Sequence, residues 1–462
     1  MASPLSATLA EPTPVWQGES ASTSSVLAAL NDIRRKFARE EAGDEEHPHP
    51  RNCVMTLIAV ASGDAEERRA QRACRMIAAE HPAQLIVIRD QVMGQSSPIA
   101  ATISTDTQRP ESCCANQCEM VTLRVQGAAA DHLAALVDPL LESGVPAFLW
   151  WVGTPPFGKH EFADALRICD AMVVDSARFD APYRSFLGFS EALAGRHKKL
   201  GFADFQWSRL RPWRESIAQF FGPPERRRFM NGISEVGVEY AGEGRGNRIA
   251  AALLTGWLAS ALGWKLQKAA SGAGGVVAAH YAAEGWRPLE VAFRSVPKAR
   301  LASGEVAALR IGGASGGTTF HLSVERDPER GRVVEPGSAY RALHLPGGED
   351  EAGLELAQRH AEQHRDVLLA SHDALHHTAT GGAPGESVPR QPAVFTRERR
   401  REDGSLLLLT KIQIGAGDVL RHVQRVDPDD EAALLLDLLS SGTHDPVFAR
   451  SMSAAAGLMK AF

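Results

Sequence analysis

Apolar positions along this 462-residue chain alternate between two spacings, and the alternation predicts strands interleaved with helices. Short unbroken apolar runs, VMTLIAVA (54–61), LIVI (85–88), VPAFLWWVG (145–153) and DAMVVDS (170–176), have the length of buried strands. Pro82, Gly144 and Pro146 punctuate them. Between these runs the spacing changes to three and four. Val26, Leu30, Ile33 and Phe37 mark a lead-in amphipathic helix, which ends in the acidic, proline-broken loop 40–51. Ala70, Ala73, Cys74, Ile77 and Ala78 mark a second helix, and Leu133, Leu136, Val137, Leu140 and Leu141 a third. Strand, helix, strand over 54–88 is a βαβ unit, for which the right-handed parallel crossover is strongly favoured. AATIST (100–105) and EMVTLRV (119–125) are placed to pair as a long hairpin.

The stretch FADFQWSRLRPWRESIAQFF (202–221) puts Pro212 where a helix's first turn tolerates it. Trp213, Ile217, Phe220 and Phe221 then follow at i, i+4, i+7 and i+8, one apolar face with Arg209, Arg211 and Arg214 around its start. LLTGWLASALGW (253–264) is apolar almost all round, as in a helix buried on several sides. Beyond Pro223 the character changes. ISEVGVEYA (233–241), VVAAHYA, RPLEVAFRSV, EVAALRIGG and GTTFHLSVER read as strands, the last four joined by Gly-rich turns. A helix is expected over 352–369, then a hairpin of VFTRERRR and LLLLTKIQIG and one or two terminal helices. These elements predict an α/β N-terminal three-layer domain over 26–222, behind a flexible tail (1–25). An α+β domain with a largely antiparallel sheet follows over 223–378, then a linker-like loop at 379–392 and a C-terminal hairpin and helices over 393–462.

Composition narrows the class. With 44% hydrophobic and 23% charged residues the chain has the make-up of an ordinary globular protein of more than one domain. A formal charge of −6 argues against nucleic acid or an anionic membrane as the main partner. The first 25 residues lack the basic start and apolar core of a secretory signal, and 249–264 falls short of the roughly 20 residues a bilayer requires, so a cytoplasmic location is expected. Six cysteines, all before Asp170, are too sparse for a disulfide framework.

Several short patterns resemble chemistry. GEGRGN lies between a strand and a helix, so Gly242, Gly244, Gly246 and Asn247 could cradle a phosphate; alternatively Asn247 is an N-cap and the glycines a tight turn. GGASGG (312–317) joins two strand-like runs and suits a hairpin loop. GFSEA (188–192) approximates a nucleophile elbow at Ser190, but its flank is helix-like where an elbow needs a strand. Asp175 and Ser176 sit at a predicted strand's carboxyl end, either as ligand groups or as caps. His372 with His376, and Cys113, Cys114 with Cys118, do not complete a metal-ligand set. No catalytic constellation, cofactor loop or metal site emerges. QWSRLRPW differs in kind, because Trp and Arg are the types most enriched at the energetic centres of interfaces. Trp207, Arg209, Arg211 and Arg214 are therefore candidate partner-binding residues, with burial of the tryptophans as the alternative.

Six of the eight tryptophans fall in 145–264, within VPAFLWWVG, FADFQWSRLRPWRESIAQFF and LLTGWLASALGW. Together with DAMVVDS these blocks resemble the signature segments of the OpcA family, assembly proteins and allosteric effectors of glucose-6-phosphate dehydrogenase. The similarity extends more weakly over 26–324 and to DPVFARSMSAA (445–455). It implies a non-catalytic protein that binds this dehydrogenase and favours its active oligomeric state at the entry of the oxidative pentose phosphate pathway. The alternative from the residues alone is an enzyme or sensor for a phosphorylated metabolite. A His-Pro-Cys-Arg-like family segment is here His81, Pro82, Ala83 and Gln84. Thiol redox control, which the resemblance implies for photosynthetic members, is expected to be absent or confined to thiols up to Cys169.

Overall fold

A computed structural model describes residues 14–42, 53–91, 99–108, 116–195, 200–242, 247–271, 276–283, 288–297, 301–326, 406–426 and 430–461. In chain order the first elements are β1 (Pro14–Gly18), α1 (Thr23–Ala42), β2 (Met55–Ala61), α2 (Asp64–Glu80), β3 (Ala83–Gln91), β4 (Ile99–Gln108) and β5 (Asn116–Gln126). Next come α3 (Leu133–Val137), β6 (Ala147–Trp151), α4 (His160–Ala165), β7 (Ala171–Val174), α5 (Pro182–Ala194), β8 (Gly201–Asp204), α6 (Phe205–Arg209) and α7 (Arg211–Phe221). Then follow β9 (Ile233–Ala241), α8 (Ile249–Leu262), β10 (Lys265–Ser271), β11 (Val277–Ala282), β12 (Pro288–Val296), β13 (Val306–Ser315) and β14 (Thr318–Arg326). The described part ends with β15 (Leu406–Ile414), β16 (Leu420–Val426), α9 (Glu431–Ser441) and α10 (Pro446–Lys460). Two compact units result: Met1–Ser208 with Asp429–Pro446, and Arg209–Pro428 with Val447–Phe462.

The first unit holds an eight-stranded sheet in the order β1-β4-β5-β3-β2-β6-β7-β8. Its strands from β5 to β8 are parallel, and β4 and β1 add an antiparallel edge. Every residue of β2 is buried, so both faces of the sheet's centre are covered. On one face Leu57, Ala59 and Ala61 share a cluster with Ala70, Ala73, Cys74 and Ile77 of α2 and Ala432, Leu435 and Leu438 of α9. On the other, the Thr56 hydroxyl donates to Gln84 Oε1 at 3.2 Å, and the Gln84 amide donates to the Leu140 carbonyl at 2.6 Å. Gln84 thus ties β2 and β3 to the segment before β6, where the family resemblance suggests an arginine.

The second sheet runs β10-β11-β12-β9-β13-β14-β15-β16. Its pairs are antiparallel except β12 with β9, so it is mixed and not the wholly antiparallel meander that consecutive strands would make. The physical cause is the crossover: the chain leaves β9 through α8 and returns to its edge only after β10 and β11. One face carries Val236, Val238, Phe293, Leu309, Phe320, Leu322 and Val324, all buried. Phe220 of α7 stacks on Phe320 with centroids 5.6 Å apart, and Arg248, which precedes α8, donates to the Tyr240 hydroxyl at 3.0 Å. α8 is buried nearly all round. A Cβ on its Gly256 would stand 2.3 Å from the Ser451 carbonyl of α10, so glycine lets the two helices touch.

Several expectations are revised. Residues 14–18 of the expected flexible tail form β1, paired with β4 through the register Gly18↔Ala101. The expected helix through Leu141 breaks into 3-10 turn, α3 and 3-10 turn, because Pro139 removes a helical donor. Strands β8, over Gly201–Asp204, and β10 were not foreseen. The boundary expected at 222 falls before α7, whose Phe220 and Phe221 pack on Phe320 of the second unit. Residues 393–462 do not stand apart: β15 pairs with β14 and β16, while α9 joins the first unit. The expected helix 352–369, the loop 379–392 and the strand VFTRERRR lie outside the described residues.

Candidate functional site

Carboxyl ends of the parallel strands β5, β3, β2, β6, β7 and β8 lie along one edge of the first sheet, and the chain reverses its direction of travel across the sheet between β2 and β6. That reversal is the usual place for a ligand crevice in an open α/β sheet, with the next helix's N-terminus aimed at an anion. Here α2 brings Asp64, Glu66 and Glu67 in its first turn. Glu66 accepts from the Ser62 N–H at 2.8 Å and fills the space beside Gly153, where an added Cβ would stand 2.5 Å from its Oε1. Glu67 is buried and accepts from Arg124 Nη2 at 3.0 Å, Arg124 Nε at 3.1 Å and Gln71 Nε2 at 3.2 Å, with Arg89 at 3.5 Å. Asp64 pairs with Arg89. Glu66 therefore occupies the crevice position itself, while Asp64 and Glu67 are held by Arg89 and Arg124, so the chain's own side chains fill this end of the helix. Periodicity could not disclose this, since acidic first-turn residues are also ordinary helix-start chemistry.

Further along the same edge, Asp175, Ser176 and Asp204 converge at the ends of β7 and β8. All three are buried. Asp204 Oδ1 accepts from the backbone N–H of Ser176 and of Gln206, each at 3.0 Å, and its Oδ2 accepts from the Ser176 hydroxyl at 2.6 Å. Burial pushes the Asp204 carboxyl up to about 6, against the lowering effect of those hydrogen bonds, and the neighbouring Asp175 adds to the rise. Asp175 accepts from the Ala177 N–H at 3.2 Å and pairs with Arg178 at 3.2 Å, which in turn meets Glu431 at 3.3 Å. Asp175 is therefore a cap and Ser176 a strand-end latch. Asp204, which reading the sequence missed, is the group that organises them. An isolated Asp after a short strand carries no spacing signal.

The candidate docking residues separate. Trp207 is buried in the first unit, its indole N–H donating to Asp445 Oδ2 at 2.9 Å, so its role there is interior and it offers no face to a partner. Trp213 is buried as well. In the second unit Arg211 of α7 is exposed, and Arg209 and Arg214 are half-buried. After α7, Arg226 lies 5.8 Å over the Phe220 ring and Arg228 lies 4.9 Å over Phe229, both phenylalanines being stacked near Phe320. Of the GEGRGN segment, Gly242 and Asn247 are described: Gly242 has φ +146°, and Asn247 Oδ1 accepts from the Ile249 N–H at 2.9 Å in an Asx turn, one residue before the helix N-cap, which is Arg248 and not the expected Asn247. Gly244 and Gly246 lie outside the described residues, as do Cys113, Cys114, His372 and His376. Gly316 and Gly317 turn the β13–β14 hairpin, and Ser190 sits inside α5 with no strand before it.

Fold and site define a protein of two mixed-sheet α/β units whose crevice position at the strand-order reversal is taken by its own Glu66. A family profile described as the glucose-6-phosphate dehydrogenase subunit N-terminal domain matches residues 74–191, and one described as its C-terminal domain matches 200–452. The chain belongs to this OpcA family. The candidate OxPP cycle protein OpcA of Nostoc punctiforme is 28% identical over 349 residues, covering 74% of this chain and 69% of that one. Its counterpart in Synechococcus elongatus is 31% identical over 195 residues, and the match spans 42% of that protein's length. Among solved structures, UDP-N-acetylglucosamine 3-dehydrogenase GnnA from Acidithiobacillus ferrooxidans covers 88% of this chain and 97% of that chain at 12% identity, with a TM-score of 0.37. A likeness so remote carries no argument. No helix among the described residues is long and apolar enough to cross a membrane.

Proposed function

We propose that this protein is a non-catalytic assembly factor that binds glucose-6-phosphate dehydrogenase and favours its active oligomeric state. The observation that carries the reading is the pair of family matches across 74–191 and 200–452. The crevice geometry supports it: the Glu66 carboxylate fills the space beside Gly153 at the start of α2, where a phosphate-bearing cofactor would enter. Such a factor acts by binding one state of its partner more tightly than another, since equal affinity would shift nothing. The arginines around the start of α7, Arg209, Arg211 and Arg214, are the docking surface in this reading. Guanidinium forks suit acidic groups on the dehydrogenase.

The test is co-purification and a binding titration of the dehydrogenase with the full chain, alongside its activity with and without the chain. Replacing Arg209 and Arg211 with alanine is expected to weaken binding by roughly 2 to 4 kcal/mol if both are desolvated on docking. Unchanged melting temperature together with lost binding supports the surface. Binding that survives moves it elsewhere, and no binding by the intact chain overturns the function.

A further inference from the structure

The turn that links α7 to β9 carries three consecutive arginines, Arg226, Arg227 and Arg228, which the docking surface around Arg209 does not include. Its backbone is fixed at several points. The Arg226 N–H donates to the Pro223 carbonyl at 2.9 Å, the Arg227 N–H to the Pro224 carbonyl at 3.3 Å and the Phe229 N–H to the Arg226 carbonyl at 3.0 Å. Residues Arg227–Gly232 form a 3-10 turn, entered from Pro223 and Pro224, whose rings fix φ. At its far end a Cβ on Gly232 would run into the Ala314 carbonyl, so the turn closes directly against β13. Phe229 anchors the middle. It is buried, its ring centroid 4.9 Å from that of Phe320 and 6.4 Å from that of Phe220.

The guanidiniums stand on this anchored turn. Arg226, half-buried, lies 5.8 Å over the Phe220 ring, and Arg228, exposed, lies 4.9 Å over the Phe229 ring, with the exposed Arg227 between them in sequence. Among the described residues no carboxylate forms an ion pair with any of the three. A cation–π contact positions a guanidinium without neutralising it. Three like charges on successive residues repel one another, and the start of a helical turn is the end that disfavours positive charge. Local stability therefore does not account for them. Docking does: side chains held in place beforehand lose less entropy on binding, and guanidinium forks match carboxylates two bonds at a time. The exposure of Arg227 and Arg228 suits a macromolecular surface better than a small anion, which is held in a concave pocket. A formal charge of −6 over the chain, with Glu225 next to the run, opposes a nucleic acid. The chemistry left is an acidic segment of a protein.

We infer that the Arg226–Arg228 turn is a second docking element, which receives a segment of the dehydrogenase bearing Asp and Glu side chains. This rests on the assembly reading above and adds to it the chemistry of the partner. Arg226 and Arg228, steadied over their rings, take carboxylates bidentately, and Arg227 adds a third charge that is free to follow the incoming segment. Attraction of this kind raises the association rate and weakens as salt screens it.

The experiment is a binding titration of purified glucose-6-phosphate dehydrogenase with the full chain at several salt concentrations, beside thermal unfolding of each variant alone. Arg227→Glu and Arg228→Glu should each raise the dissociation constant at least ~10-fold at low salt, and the double variant should show a shallower salt dependence than the parent. Arg228→Lys, which keeps the charge but not the fork, should fall between parent and Arg228→Glu. Lys36→Glu, an equal change of net charge on the exposed side of α1, should bind as the parent does. The melting temperatures of Arg227→Glu and Arg228→Glu should be unchanged or raised, since each reversal relieves repulsion within the run. Dehydrogenase binding that is indifferent to both reversals, or weakened as much by Lys36→Glu, overturns the inference while leaving the assembly reading in place. A fall in melting temperature that accompanies the loss of binding overturns it too, because the arginines then serve the fold. No binding by the intact chain overturns the assembly reading and this inference with it.

Discussion

Asp204 is the residue whose replacement has the most readily worked consequence. Its carboxyl is buried, holds three hydrogen bonds at the ends of β7 and β8, and is raised from 3.8 to about 6. A folded-state value above the unfolded one means that the protonated carboxyl favours folding. Its contribution is full below about pH 4 and is lost as pH rises through about 6, a swing of about 3 kcal/mol for a shift of about two units. Asp204→Asn removes the titration while its carbonyl can still accept from the Ser176 and Gln206 N–H groups. The stability of the asparagine variant relative to the parent should therefore improve by about 3 kcal/mol between pH 4 and pH 7. Asp204→Ala should be less stable than the asparagine form at every pH by about 2 to 4 kcal/mol, because two buried backbone donors lose their acceptor. Urea denaturation followed by tryptophan fluorescence across this range measures all three chains. A difference between parent and Asn that stays flat with pH would refute the reasoning, and so would an alanine variant as stable as the asparagine one.

Two further outcomes follow from burial and packing. Gly256→Val should lower the stability of the second unit by at least about 2 kcal/mol in thermal unfolding, since its Cβ meets the Ser451 carbonyl at 2.3 Å. Burial pushes the thiols of Cys74 and Cys169 up to about 12. Native protein at pH 8 should therefore leave both unalkylated by iodoacetamide, as mass spectrometry would show, while all six cysteines react in urea. Fast native labelling of Cys74 would contradict the packing of α2 on β2.

The sequence alone determined those features in which one residue's neighbours along the chain carry the physics. Continuous apolar runs identified β2, β3, β6 and β7, because a strand covered on both faces needs no polar alternation. The 3.6 spacing of Trp213, Ile217, Phe220 and Phe221 identified the buried face of α7, and the Trp-rich blocks identified the family. Tertiary structure alone decided which distant groups meet. Trp207 could be an anchor or a core residue until Asp445, far along the chain, was placed against its indole. The first turn of α2 became a closed crevice only when Arg89, Arg124 and Gly153 arrived from three other strand ends. Strand order was likewise out of reach, since β9 pairs with β12 and β13 by crossings that local hydropathy does not encode.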